Sequence, residues 1–211
     1  QEYDRVDSVR FTPGPAPKSY YWTRSGTKIF VVVDGVDAVR RRVREQLRRG
    51  ASFIKFMGSG GVSSTGDALE SFQFSEDEVR AILEETRNHG VYCTAHVIPD
   101  APLKRAIRLG VPCIEHATLI EPDTARMAAE AGTHLVPTCA VVAALHRHGA
   151  DFGYPPASLE KLARVQDQML ERLRHMRSAG VTVGFGTDLI GPLHTLQCIE
   201  FELRSQVFSN F

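Results

Sequence analysis

The residues best placed to do chemistry in this chain are two histidines. His96 ends the run Thr94-Ala95-His96 and His116 ends Ile114-Glu115-His116, and each falls six residues after a glycine, Gly90 and Gly110. One histidine at a strand end is ordinarily a structural residue satisfied by hydrogen bonds. Two at the same position of consecutive repeat units bring neutral imidazoles toward one point, as the ligands of zinc and related ions do. Lys55 stands among apolar neighbours in Phe53-Ile54-Lys55-Phe56-Met57, where an ammonium is costly unless it is paired, modified or at the rim. Asp188 closes the apolar run Val181-Thr182-Val183-Gly184-Phe185-Gly186-Thr187-Asp188, and a carboxylate there needs a proton, a cation or several donors.

Other candidates compare poorly. Ser59 is the obvious nucleophile to test, but a GxSxG elbow centred on it requires glycine where Met57 stands. The loop Gly58-Ser59-Gly60-Gly61 also lacks the Gly-Lys-Ser/Thr ending of a phosphate loop. Gly60 and Gly61 fit an anion nest, a backbone approach to a ligand, or a plain loop. Thr138, at the end of Leu135-Val136-Pro137-Thr138, reads as a strand cap before a substrate contact. His89, His146, His148 and His175 lie among polar neighbours and read as surface residues, whereas His194, shortly after Asp188, is a candidate to line a substrate pocket.

The elements that must position these residues form a repeat. Gly50, Gly90, Gly110, Gly132 and Gly180 each close a helical pattern and precede a β-prone run. Between them, Val39, Val43 and Leu47 recur at helical spacing; Ser75 and Glu78 make a capping box; Pro122 opens a helix; and Leu162, Val165, Met169, Leu173 and Met176 form a long apolar stripe. Short apolar strands alternating with amphipathic helices, about five times over, mean parallel strands with right-handed crossovers: a doubly wound α/β sheet or part of a (β/α)8 barrel. In both, the site lies at the carboxyl ends of the strands. Residues 1–33 read as an irregular lead-in with a short strand over 28–33, and the repeat occupies 34–211.

Composition is that of a soluble globular chain: 211 residues, 25 Lys+Arg against 25 Asp+Glu, 43% hydrophobic and 24% charged, which excludes a disordered chain, a collagen and a coiled coil. No apolar run approaches the roughly 20 residues that cross a bilayer, and no signal-peptide pattern opens the chain, so a cytoplasmic protein without membrane partners is expected. Arg40, Arg41, Arg42, Arg44, Arg48 and Arg49 lack interleaved aromatics and read as a solvated helix face, with no nucleic-acid partner implied. Cys93, Cys113, Cys139 and Cys198 show no CxxC spacing and read as reduced thiols, mostly buried.

Taken together, Gly50-Ala51-Ser52-Phe53-Ile54-Lys55-Phe56-Met57-Gly58-Ser59-Gly60-Gly61-Val62, Thr94-Ala95-His96, Ile114-Glu115-His116-Ala117 and Gly184-Phe185-Gly186-Thr187-Asp188-Leu189 resemble the amidohydrolase superfamily, in its imidazolonepropionase-like and Xaa-Pro-dipeptidase-like branch. The resemblance implies a TIM-type barrel of which about five of eight βα units are present. It implies that Lys55, carboxylated by CO2, bridges two metal ions, that His96 and His116 ligate one of them, and that Asp188 contacts the other and shuttles protons. The implied reaction is hydrolysis of a C–N bond in a small amide, Xaa-Pro dipeptide, N-acyl amino acid or cyclic amide, with zinc or else manganese, nickel or cobalt; the intact protein would be a homo-oligomer. Carboxylation would turn the costly Lys55 cation into a metal-bound anion.

The chain departs from that family pattern: no His-x-His stands on a first strand, the only such pair being His146-Arg147-His148, and the first barrel strands and the small β-domain expected from the family are not found. With Gln1 at the start, this leads to the expectation of a fragment that is inactive alone. Two alternatives remain open: deamination or ester hydrolysis on the same scaffold, and a non-catalytic or phosphate-binding barrel fragment.

Overall fold

The computed structural model describes residues 5–8, 30–64 and 66–208. Six strands form one parallel sheet: β1 (Arg5–Ser8), β2 (Phe30–Val33), β3 (Ile54–Met57), β4 (Cys93–Pro99), β5 (Cys113–Leu119) and β6 (His134–Val136), in the order β2-β1-β3-β4-β5-β6. From β2 onward the crossovers are helical: α1 (Val36–Arg48), α2 (Glu76–Asn88), α3 (Asp100–Leu109) and α4 (Pro122–Glu130), followed after β6 by α5 (Cys139–His148), α6 (Pro156–Ala179) and α7 (Ile199–Ser205). This is the expected α/β architecture, and among the described residues the sheet is open; no barrel closes.

Local chemistry explains the elements. Ser75 accepts from the Glu78 N–H while Glu78 accepts from the Ser75 N–H, completing the capping box that starts α2. Pro122 occupies the first turn of α4, where its missing N–H costs nothing. The glycines that end the repeat helices hold φ between 68° and 93°, a conformation that side chains with a Cβ resist. Val39, Val43, Ile54, Phe56, Ile82, Leu103, Ile114, Leu135, Leu162, Met169 and Leu173 meet in the core between sheet and helices. Burying a side chain of this size contributes about 1.5–3 kcal/mol, so the repeat is held chiefly by its helix-to-sheet seams.

Two expectations change. The lead-in is not wholly irregular: Arg5–Ser8 is a strand inserted between β2 and β3, pairing Arg5 with Phe30 and Lys55. Only Val6 is apolar in it, so no period marks it, and it exists through long-range parallel pairing. The short strand over 28–33 is present as Phe30–Val33; the proline- and glycine-rich part, with Pro13, Gly14, Pro15, Pro17 and Gly26, lies outside the described residues. The expected last strand is reduced to a bridge between Leu135 and Val183, with Leu135 N–H donating to Thr182 and Gly184 N–H to Leu135. Gly184 and Gly186 bring this segment tightly against Val136, and no described strand pairs with its other side.

Four of the six arginines of the stripe pair within the fold, and Arg41 and Arg48 are exposed. Arg40 bonds Glu84 and Glu85, Arg44 makes two bonds to Glu85, and Arg42 and Arg49 pair with Glu45. All four cysteines are free, and burial pushes the Cys93 and Cys139 thiols up to about 12, which keeps them inert. No helix among the described residues is long and apolar enough to cross a membrane.

Candidate active site

The strand register sets up the site. Lys55 pairs with Thr94, Met57 with His96, and Val97 with His116, so Lys55, His96 and His116 come from three adjacent strands. The β4–β5 register shifts between Val97 and Pro99, and β5 carries positive φ at His116 (76°) and Ala117 (49°). Irregularities of this kind re-aim side chains at strand ends, and a non-glycine residue in the left-handed region costs of order 1–3 kcal/mol that its surroundings must support. Five described non-glycine residues have positive φ, and four of them, His116, Ala117, Thr138 and Asp188, are site candidates or their neighbours. Strain is concentrated where chemistry was expected.

The two histidines meet. Their rings stand edge to face with centroids 4.4 Å apart. His116 is 7% exposed, and its Nδ1 lies 2.7 Å from Thr138 Oγ1, which fixes the ring. His96 Nε2 lies 3.4 Å from the Gly60 carbonyl oxygen. Loss of solvent first, then the proximity of His116 and Lys55, holds the His96 imidazole well below its ordinary value, with Asp188 opposing the shift. A neutral imidazole keeps the lone pair that a metal needs.

Gly60 and Gly61 let the loop after β3 reach this pair. A Cβ on Gly60 would sit 2.0 Å from the Ala68 carbonyl oxygen, and one on Gly61 would come 3.4 Å from His96 Nε2. Gly58, Ser59 and Gly60 donate their N–H groups to the carbonyls of His96, His96 and Ser71, so the loop presents no nest of free donors and the phosphate reading loses its support. Ser59 is buried, with its hydroxyl donating to the Gly60 carbonyl and accepting from the Ile98 N–H, a structural use. From α6, Lys161 binds the carbonyls of Gly61, Ser64 and Asp67 and so latches the loop, and Arg164 pairs with Glu70.

Asp188 is exposed with φ 51°, and His194 is exposed on the 3-10 turn Gly191–Leu196. No group of three or more His, Cys, Asp or Glu side chains close enough to hold an ion occurs among the described residues. Two imidazoles meet, and Lys55 and Asp188 stand near enough to bear on the charge of His96. His146 and His148 sit at the end of α5 and supply no first-strand His-x-His. Thr138 is the residue that sequence reasoning undervalued. The signal was present: it stands six residues after Gly132, the repeat position that His96 and His116 occupy in their own units.

The site lies on a parallel α/β sheet, with two histidines midway along adjacent strands and a lysine on the next. The model of the Amidohydrolase family matches residues 11–210, and the chain belongs to that family. It is 35% identical over 172 residues to an ochratoxinase from Aspergillus niger, an alignment covering 82% of this chain and 35% of that protein. Among solved structures it resembles a prolidase complexed with N-methylphosphonate-L-proline (38% identity, TM-score 0.90, covering 99% of this chain and 52% of that one) and an amidohydrolase (41% identity, TM-score 0.88, covering 97% and 52%). The chain thus spans about half the length of these solved relatives.

Proposed function

We propose that the protein to which these residues belong hydrolyses a C–N bond in a small amide, an N-acyl amino acid or an Xaa-Pro dipeptide. The observation that carries this reading is the edge-to-face His96–His116 pair midway along β4 and β5, with His116 strained in backbone and braced by Thr138. Its likeness to an ochratoxinase and a prolidase supports the amide class of substrate.

In this reading His96 and His116 would hold a divalent ion, zinc or else manganese, nickel or cobalt, and Lys55, carboxylated by CO2, would be a further ligand. Such an ion lowers the pKa of water toward neutrality and polarises a carbonyl. The chain's own groups do the rest. Thr138 keeps His116 in one orientation, and Asp188 takes a proton at its carboxylate and returns it to the leaving amine. Gly60 and Gly61 offer backbone on the substrate side, and His194 lines the approach. A small-molecule substrate is the only partner this requires.

The test is a panel of N-acyl amino acids, Xaa-Pro dipeptides and cyclic amides offered to the purified full-length protein before and after chelation. Cleavage that chelation removes and metal restores is the expected result. Cleavage unaffected by thorough chelation, or none across the panel in metal-loaded protein, overturns the reading.

A further inference from the structure

Behind the site lies a buried ion pair that the proposed chemistry does not use. Glu200 and Arg204 stand one turn apart on α7, 0% and 3% exposed, with Arg204 Nε 2.7 Å from Glu200 Oε1. The second carboxylate oxygen, Oε2, accepts from the Ala140 N–H at 2.6 Å. That N–H belongs to the first turn of α5, where donors have no partner within the helix. Thr138, the residue before the helix, makes no side-chain cap, its hydroxyl being within bonding distance of His116. Glu200 supplies the cap from another element.

Arg204 reaches the other way. Its Nη2 donates to the Gly184 carbonyl at 2.7 Å, and its guanidinium carbon lies 5.2 Å from the centroid of the Phe185 ring. One pair of side chains therefore grips two backbone points, two residues after Thr138 and four before Asp188. Thr138 and Asp188 both have left-handed backbones, with φ of 46° and 51°. Such conformations persist only where the surroundings over-determine them. The segment with Asp188 has a single bridge to the sheet and is anchored by buried Val181 and Leu189, and the Arg204 contact to Gly184 lies between these two anchors.

Buried ion pairs are poor stabilisers, since apolar replacements of similar volume are often neutral or better. Placement is the role left to this one. We propose that Glu200 and Arg204 are positioning residues that keep the Thr138 turn, and through it the His116 ring, in register with the segment that carries Asp188. The inference rests on reading His116 as a metal ligand, and its test separates the two ideas.

In the full-length protein, hydrogen exchange is measured by mass spectrometry for peptides covering residues 138–142 and 184–188, and the visible spectrum is recorded after loading with Co(II). Glu200→Gln, which leaves Arg204 without its charge partner, is expected to speed exchange in both peptides at least tenfold, leave β4 unchanged and alter the Co(II) bands. Arg204→Lys keeps a cation beside Glu200 and therefore the cap on Ala140, so only the 184–188 peptide should speed up. A Glu200→Leu and Arg204→Met double variant should keep the fold by circular dichroism and still show both effects. Exchange that rises uniformly, or stays unchanged in both peptides, overturns the proposal, as does an unaltered Co(II) spectrum in Glu200→Gln. A wild-type protein that takes up no Co(II) defeats the metal reading alone, and the exchange pattern still decides the positioning role. Should the double variant fail to fold, the two single variants decide it.

Discussion

His116 and Asp188 are the two strained ends of one candidate site, and the molecule holds them by different means. His116 sits on a seven-residue strand flanked by β4 and β6, with its ring braced by Thr138 and packed against His96. Asp188 follows a segment with one bridge to β6, is exposed, and is steadied from behind by Arg204 at Gly184. Imidazoles that must converge on an ion gain from a rigid sheet, since misplacement loses the ligand. A carboxylate that moves protons between partners gains from a shorter tether. The difference teaches that the His116 side is held by backbone pairing and the Asp188 side by a few side chains; in the proposed reading these are the ligand side and the proton-handling side.

Substitutions can break this contrast. His116→Ala removes a proposed ligand and is expected to lower metal affinity by more than about 100-fold, because even outer partners of ligands are worth about 10–100-fold; metal analysis after dialysis measures it. Asp188→Asn should lower turnover by about 100-fold or more, the span of general acid–base assistance, while metal content holds and stability changes by under about 0.5 kcal/mol as for other exposed positions. If both substitutions empty the metal site, the two ends are not held independently.

Smaller effects sharpen the contrast. Thr138→Val should cost about tenfold in metal affinity at the lower end of the range for outer partners, with the fold intact by circular dichroism. Lys161→Met, which frees the loop around Gly61, should raise KM more than it lowers kcat and open the 61–70 segment to limited proteolysis. The least effect is one of pH. His96 is held below its ordinary value, so the unfolded chain binds a proton at higher pH than the folded one. Stability from this group is fully present above the unfolded value of about 6.5 and is lost as pH falls below it, which thermal melts of metal-free protein between neutrality and pH 5 would register.

The same contrast governs what the sequence made legible. His96 and His116 were readable because a repeat of glycine, apolar run and histidine places both at one register, and the capping box at Ser75 and Glu78 was readable because it is local. The strand Arg5–Ser8 was not, since its stability comes from partners dozens of residues away and Val6 alone is apolar. The run from Val181 to Asp188 has the residues of a strand, but with glycines at 184 and 186 and one neighbour it forms only a bridge. Glu200 and Arg204, at i, i+4 on a helix, look in sequence like any exposed pair; only packing reveals that both are buried and that each holds backbone elsewhere.

The central claim is that His96 and His116 together ligate a catalytic metal in the intact protein. Anomalous diffraction from crystals of the full-length protein, collected on both sides of the absorption edge of its bound metal, tests it most directly. A peak within bonding distance of one ring nitrogen of each histidine is the expected result. Metal bound elsewhere, with both imidazoles engaged only by protein atoms in an enzyme that still cleaves amides, would contradict it.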